Sequence, residues 1–303
     1  MTGDLPIVDA HQHFWDPPRT AHPWLSTAPL ASFRYGEYAA LRRPYLPPDF
    51  RRDAAGQRVV VTVHVEAEWD TTDEVGETRW LAELRREHGL PTVAVGHARF
   101  EAPEVEAVLA GHAAFDFVRG IRQKPAATAA PADARRGAPG SMDDERWRRG
   151  YALLARYGLH FDLQTPWWHL GAAADLARDF PRIPIVVNHT GLPADRAPDA
   201  LAAWRRALER VAATPSVSIK ISGLGLADTS WPEPGNRQVV RDAIAIFGVA
   251  RCMFASNFPV DSLCIAYGPL FETFHAFVAD LPAVQRRALF HGNVARVYRI
   301  QGI

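Results

Sequence analysis

The chain has 303 residues, of which 48% are hydrophobic and 22% charged, as in an ordinary globular protein. Its 34 basic and 34 acidic side chains balance, which argues against nucleic-acid binding and gives no sign of a membrane-surface protein. The 2 cysteines cannot build a disulfide framework, no apolar run approaches the roughly 20 residues that span a bilayer, and residues 1–9 do not resemble a signal peptide. We therefore expect a cytoplasmic protein.

Short β-rich runs alternate along the chain with longer amphipathic stretches. The predicted strands are Ile7–His11, Val59–Glu66, Thr92–Ala98, Phe117–Arg122, Leu159–Gln164, Ile183–His189, Ser216–Ser222 and Cys252–Asn257. The predicted helices are Thr72–His88, Asp143–Tyr157, Leu170–Asp179, Asp199–Ala213, Arg237–Phe247 and Pro269–Ala279. Nearly uninterrupted apolar runs such as VVVTVHV suit strands buried on both faces. The pattern predicts a single-domain (β/α)8 TIM barrel over residues 1–303, with a doubly wound open sheet as the alternative.

Two long segments interrupt the alternation. Phe14–Gly56, after the first strand, is rich in Pro, Trp, Tyr and Arg, and Gln123–Gly140, after the fourth, is rich in Ala, Pro and Arg. Both follow the carboxyl end of a strand, which is the face where barrel enzymes build their active sites, so we expect lids. For the Ala- and Pro-rich segment, an insertion that does not contact substrate is the alternative.

The strongest local motif is IVDAHQHFWD, in which His11 and His13 lie two residues apart at the end of the first strand. Residues two apart on a strand point to the same side, so both imidazoles are expected to converge on the barrel interior. Two such imidazoles make half of a divalent metal site, or a paired polar site for a substrate oxygen.

Two further strand ends carry candidate catalytic groups. His189 ends the sixth predicted strand, before a turn that contains Gly191 and Pro193. Asn257 ends the eighth, and Asp261 follows in the same loop. Asparagine can hydrogen-bond a substrate or orient a water, but it cannot be a general base and is a poor zinc ligand. Asp261 is a candidate base, with a structural turn cap as the alternative.

Other polar strand ends predict substrate contacts. Arg122, at the end of the fourth strand, suits a substrate carboxylate because a guanidinium grips it with two parallel hydrogen bonds. The second strand ends at Glu66, the fifth ends at Gln164, and the seventh contains Lys220. A buried lysine such as Lys220 can act as an electrophile or a base. Trp15 begins the aromatic loop after the first strand, and its surroundings predict a planar or apolar portion in the substrate.

Together these motifs resemble the amidohydrolase superfamily. IVDAHQHFWDP, VRGIR, NHTGLP, SNFPVD and LFHGNVARVYRI are similar to its amidohydrolase-related group, which includes sugar lactonases, pyrone-dicarboxylate lactonase and galactarolactone isomerase. The resemblance implies that His11, His13 and His189 ligate a divalent metal, with zinc as the expected ion. Where the family usually has an aspartate and a stronger ligand, this chain has Asn257 and Gln164, so metal-free chemistry by Arg and His residues is the alternative.

The resemblance implies a hydrolase that opens a lactone or related ester of a small, carboxylated organic molecule. A non-hydrolytic isomerase, lyase or decarboxylase on the same site is the first alternative, because Asn257 replaces the residue that would activate water. A barrel that only binds its ligand is the second. The expected partner is a small molecule, with no nucleic acid or membrane, and a homo-oligomer is left open.

Overall fold

A barrel of eight parallel strands forms the centre of the computed structural model, which describes residues 5–26, 33–227, 231 and 234–303. The strands are β1 (Ile7–Gln12), β2 (Val59–Val65), β3 (Val93–His97), β4 (Val118–Gln123), β5 (His160–Leu163), β6 (Ile185–Val187), β7 (Val217–Ile221) and β8 (Cys252–Phe254). Each strand pairs with the next along the chain. The His13 amide donates to the Phe258 carbonyl and the Asn257 amide to the His11 carbonyl, both at 2.7 Å, and these bonds join the last strand to the first.

Helices connect the strands, which confirms the predicted (β/α)8 TIM barrel. In the described parts of the chain the α-helices are α1 (Pro23–Ser26), α2 (Pro47–Asp53), α3 (Gly76–His88), α4 (Val105–Ala113), α5 (Glu145–Ala152), α6 (Leu170–Asp179), α7 (Pro198–Ala212), α8 (Pro234–Phe247), α9 (Tyr267–Phe277), α10 (Ala283–Arg287) and α11 (Asn293–Val297). Helix α3 shows the local rules, because it has three basic residues in its last turn and ends at Gly89 in the left-handed region. No helix among the described residues is both long and apolar enough to cross a bilayer.

The connections contain helices that were not predicted. The predicted helices do not include one between the third and fourth strands, where α4 lies with Val105, Leu109 and His112 buried. Its other residues are mostly alanine, glycine and valine, so the contrast between its two faces is weak. The predicted Phe14–Gly56 loop contains α1 and α2, and α2 begins with Pro47 at its first position. Residues 27–32 of that loop lie outside the described part of the chain.

Strands β5, β6 and β8 end earlier than predicted. Gln164, His189 and Asn257 were placed in strands, but each lies one to three residues beyond the last paired residue. At these residues the backbone turns into a loop and no longer pairs with the neighbouring strand. His189 and Asn257 have φ angles of 52° and 56°, which a β-strand does not allow. The result is that the polar side chains stand above the barrel rim.

The barrel interior has an apolar lower layer and a polar upper layer. The lower layer is part of one cluster of buried side chains, in which Val294 and Tyr298 of the C-terminal helical segment pack with Val8, Ala10, Val61, Val63, Val65, Val93, Val95, Val186, Met253 and Ala255. Above it lie Asp162 and Lys220, both fully buried and paired with each other. Branched side chains usually fill the whole interior of such a barrel. A charged layer directly beneath the active face therefore calls for an explanation in terms of the site.

A local irregularity in β1 brings His11 into the interior. Ala10 packs in the apolar lower layer, and the next residue, His11, also points inward, where it contacts Lys220. Strict alternation would send one of them outward. The register of β1 against β2 shifts between Asp9 and Gln12, and a bulge of this kind re-aims a side chain next to an active site.

Candidate active site

A cavity of about 340 Å³ opens at the carboxyl ends of the strands. Its lining residues come from six strand ends and from the loop after β1, and they are His13, Trp15, Trp24, Phe33, Arg34, Tyr38, Ala67, Glu68, Arg122, Lys124, Gln164, His189, Asn257 and Val260. The volume suits a small organic molecule. The cavity lies on the face where barrel enzymes place their catalytic groups.

A cluster of three histidines lies at the base of this cavity, and its members are His11 in β1, His13 directly after it and His189 in the loop after β6. The ring centre of His11 lies 4.9 Å from that of His13 and 4.6 Å from that of His189. His13 and His189 line the cavity, whereas His11 is fully buried beside them. Burial, followed by nearby cations, lowers the pKa of all three, that of His13 to about 3. The cluster is therefore neutral at pH 7, and each ring keeps one unprotonated nitrogen that can accept a hydrogen bond.

Strained backbone holds two of the candidate residues. His189 and Asn257 both lie in the left-handed region, which disfavours residues with a side chain beyond glycine. Each such residue costs on the order of 1–3 kcal/mol and persists where the surroundings fix it, often at active sites. The Nδ1 atom of His189 lies 2.9 Å from the Ser222 hydroxyl, which fixes the ring.

His13 is held in one tautomer. Its Nδ1 atom lies 2.7 Å from the Val65 carbonyl oxygen, which can only accept, so Nδ1 carries the proton and Nε2 a lone pair. The Nε2 atom lies 3.4 Å from Oδ1 of Asn257. The orientation of that amide is set by its Nδ2, which donates to Asp261 at 2.7 Å. Two acceptors, His13 Nε2 and Asn257 Oδ1, thus face each other at the cavity wall.

Asp261 lies behind Asn257, and its side chain is not among those that line the cavity. One carboxylate oxygen accepts from Asn257 Nδ2 and, at 2.8 Å, from the Tyr35 hydroxyl. Tyr35 in turn accepts from Arg34, which also donates to the Gly223 carbonyl. Asp261 thus orients Asn257 and ties the aromatic loop after β1 to the barrel.

The pH dependence of stability should report on buried Asp261. Burial raises the pKa of this carboxyl, 1% exposed, from 3.8 to about 6. Between these two pH values the folded state binds more protons than the unfolded state. Protonated Asp261 therefore contributes its full stabilisation of the folded state below pH 3.8, and this contribution is lost as the pH rises through 6. Relative to Asp261→Asn, the wild type should lose about 2 kcal/mol of unfolding free energy between pH 4 and 7. Urea denaturation of both proteins measures this, and parallel curves would contradict it.

Arg122 is buried in a network with two of the predicted substrate-binding residues. Its Nε donates to Glu66 Oε1 at 2.5 Å, a second nitrogen donates to the Glu66 carbonyl, and NH1 donates to Gln164 Oε1 at 3.0 Å. Burial alone would raise the pKa of Glu66, but the guanidinium offsets this and holds it at about 2. The network aims the remaining N–H groups of Arg122 at the cavity it lines.

Lys220 lies beneath the histidine cluster and not in the cavity wall. Its ammonium nitrogen is 2.6 Å from Asp162 Oδ1 and 3.5 Å from His11 Nδ1. Asp162 also accepts from Asn188 at 2.8 Å and from the Tyr298 hydroxyl at 3.1 Å. The carboxylate is thus fully satisfied, and it fixes the position of the ammonium group.

The site contains residues that sequence reasoning missed. Trp15 was predicted and stacks on His13 with ring centres 6.1 Å apart. Arg34, Glu68 and Lys124 were not predicted, although all three line the cavity. Glu68 and Lys124 form an ion pair. Lys124 directly follows β4 and Glu68 lies three residues after β2, so their positions near strand ends could have revealed them. Lys124 is also the contribution of the predicted Ala- and Pro-rich segment to the cavity.

Comparison with known proteins agrees with this architecture. A family model described as amidohydrolase matches residues 8–300. The chain belongs to the amidohydrolase family. Among relatives of this amidohydrolase, the Sinorhizobium fredii uncharacterized protein y4mH is 40% identical over 98% of this chain and 99% of its own length. A Burkholderia multivorans protein named L-fucono-1,5-lactonase is 28% identical over 97% of this chain and 96% of its own.

A solved structure bears on the metal. It is an amidohydrolase from Burkholderia multivorans with bound zinc, 28% identical, with a TM-score of 0.78 over 97% of this chain and 99% of that one. In the present amidohydrolase, His13 offers a lone pair at Nε2, as a ligand must. The Lys220 ammonium lies 3.5 Å from Nδ1 of His11, and a positive charge at that distance opposes the binding of a metal cation by His11. Within the described residues, no three His, Cys, Asp or Glu side chains are arranged to hold a metal ion.

Proposed function

We propose that this amidohydrolase opens a small lactone that carries a carboxylate, by adding water across the ring ester. The observation that carries the proposal is the pair of converging acceptors, His13 Nε2 and Asn257 Oδ1, 3.4 Å apart at the cavity wall. Two acceptors this close repel each other, and a donor that bridges them relieves this repulsion. A water molecule supplies two O–H donors and keeps its lone pairs free toward the cavity.

His13 is then the general base. As the water oxygen attacks the lactone carbonyl carbon, one of its protons moves to His13 Nε2, and Asn257 holds the other. The free N–H groups of Arg122 stabilise the oxyanion that forms. When the ring carbon–oxygen bond breaks, the departing oxygen takes the proton from His13. The products are a carboxylic acid, which ionises, and a hydroxyl on the same molecule, so lactone and water are fully accounted for.

The charges and walls of the cavity support the substrate class. Arg34, Arg122 and Lys124 face it; Arg122 is paired with Glu66 and Lys124 with Glu68, which leaves one positive charge in excess among these five described groups. An excess of cations favours a substrate that brings its own negative charge. On the other side the wall is aromatic, and its rings are Trp15, Trp24, Phe33 and Tyr38. Such a wall suits the face of a small ring. The lactonase name of the Burkholderia multivorans relative supports the same reaction type.

Ring opening in ¹⁸O-labelled water tests the proposal. A panel of small lactones with and without a carboxylate is incubated with the purified enzyme, and products are analysed by mass spectrometry. We expect one ¹⁸O atom in the new carboxylate and a higher kcat/KM for carboxylated substrates. Turnover without label would overturn hydrolysis in favour of an isomerase, lyase or decarboxylase. Saturable ligand binding without turnover of any lactone would favour the binding barrel.

A further inference from the structure

The two histidines of the HQH motif face unlike partners through the same ring atom. His13 directs Nδ1 at the Val65 carbonyl oxygen, an acceptor, whereas His11 directs Nδ1 at the Lys220 ammonium, a group with donors only. A neutral imidazole has one protonated and one unprotonated nitrogen. The two rings are therefore expected to carry their protons on opposite nitrogens.

We propose that Lys220 is a positioning residue that fixes His11 as the Nε2–H tautomer, so that the motif presents a donor at His11 and an acceptor at His13. With a proton on Nδ1, His11 would turn an N–H group toward a cation 3.5 Å away. With a lone pair there, the same contact is attractive. All of these atoms are fully buried, where electrostatic differences are larger than in water.

Lys220 is not free to move away from His11. Its nitrogen is 2.6 Å from Asp162, and both side chains are fully buried. Asp162 is itself held, because His160 Nε2 lies 2.8 Å from its second oxygen and Asn188 and Tyr298 donate to it. This buried layer keeps the ammonium beneath His11 and gives the charged pair in the barrel interior a role.

Two consequences follow for the site. A zinc centre on His11, His13 and His189 needs a lone pair at each metal-facing nitrogen, so the proton on His11 opposes it, and the ammonium repels a dication. The Nε2 atom of His11 is buried and has no hydrogen-bond partner among the described residues. If the proposed hydrolysis holds, on which this second consequence rests, that N–H donates to a water bound beneath the cavity, next to His13 and His189.

The tautomers are measured directly by NMR on protein labelled with ¹⁵N-histidine. Long-range ¹H–¹⁵N spectra at pH 7 distinguish the two neutral tautomers, and His11→Asn and His13→Asn assign the signals. We expect His11 to be protonated at Nε2 and His13 at Nδ1. Protonation of His11 at Nδ1 would overturn the proposal. The spectra need no substrate, so this outcome is independent of whether the enzyme opens lactones.

A second experiment removes the ammonium group of Lys220. In Lys220→Met, His11 should lose its strict preference for Nε2–H, and the affinity for added zinc chloride should rise by about 10–100-fold, the usual size of such outer-sphere effects. Lys220→Met/Asp162→Asn removes both buried charges, so it should show the same gain where the single variant folds poorly. Lys124→Met removes a cation at the cavity and should leave the His11 tautomer unchanged. Unchanged zinc affinity and tautomer in both Lys220 variants would contradict the proposal.

Discussion

We expect His13→Asn to lower kcat for lactone opening by a factor of roughly 10²–10⁴, the usual contribution of a general base. Asparagine keeps an N–H donor for the Val65 carbonyl, which His13 contacts at 2.7 Å, but it places no acceptor where His13 Nε2 faces Asn257. The substitution therefore removes the base while the neighbouring backbone contact is retained. Steady-state kinetics on the best lactone measures the effect, and KM should change little.

The matched control is His88→Asn, the same substitution in the last turn of α3, outside the cavity lining. Its kcat should stay within about twofold of the wild type, as for surface substitutions away from special features. Thermal unfolding of both variants separates lost chemistry from lost structure. A folded His13→Asn protein with wild-type kcat would show that His13 is not the base.

The barrel could be predicted because its signals are local and repeated. Apolar runs such as Val59–Val65 and the alternation with amphipathic segments specify parallel strands and their connections without knowledge of distant contacts. Helix α4 was missed where this signal is weak, since few of its residues are large and apolar. Strand ends at His189 and Asn257 were set too late because a left-handed backbone cannot be deduced from residue types that usually avoid it.

The sequence predicted which residues form the candidate site better than it predicted the role of each residue. Polar residues at strand ends converge in a barrel, and this rule indicated Arg122 and Gln164. In the structure a guanidinium nitrogen of Arg122 lies 3.0 Å from the Gln164 side-chain oxygen. It did not indicate Arg34, because a residue in a long loop reaches the cavity only through the path of that loop. The partners that assign the proton on each imidazole come from other strands, such as Lys220 for His11, 209 residues away. Sequence spacing within one motif carries no information about such pairs.

The buried pair of Arg122 and Glu66 should show the largest effect on stability. Arg122→Met leaves Glu66, which is 2% exposed, as an uncompensated carboxylate. We expect the free energy of unfolding to fall by about 3–5 kcal/mol at pH 7. Glu66→Gln/Arg122→Met removes both charges and should recover most of this loss. Urea denaturation of the wild type, both single variants and the double variant measures the coupling between the two residues.

The dependence on pH separates the charge effect from lost packing. In the wild type, Arg122 holds the pKa of Glu66 at about 2, below its ordinary value of 4.5. The stabilisation that ionised Glu66 gives the folded state is therefore complete above pH 4.5 and is lost as the pH falls through 2. In Arg122→Met, burial is the largest remaining influence and raises that pKa, so the variant should become more stable, relative to the double variant, as the pH falls from 7 to 5. If the difference in unfolding free energy between these two variants stays constant from pH 7 to 5, Arg122 stabilises the barrel through its packing and its hydrogen bond to Gln164. Its charge would then contribute little.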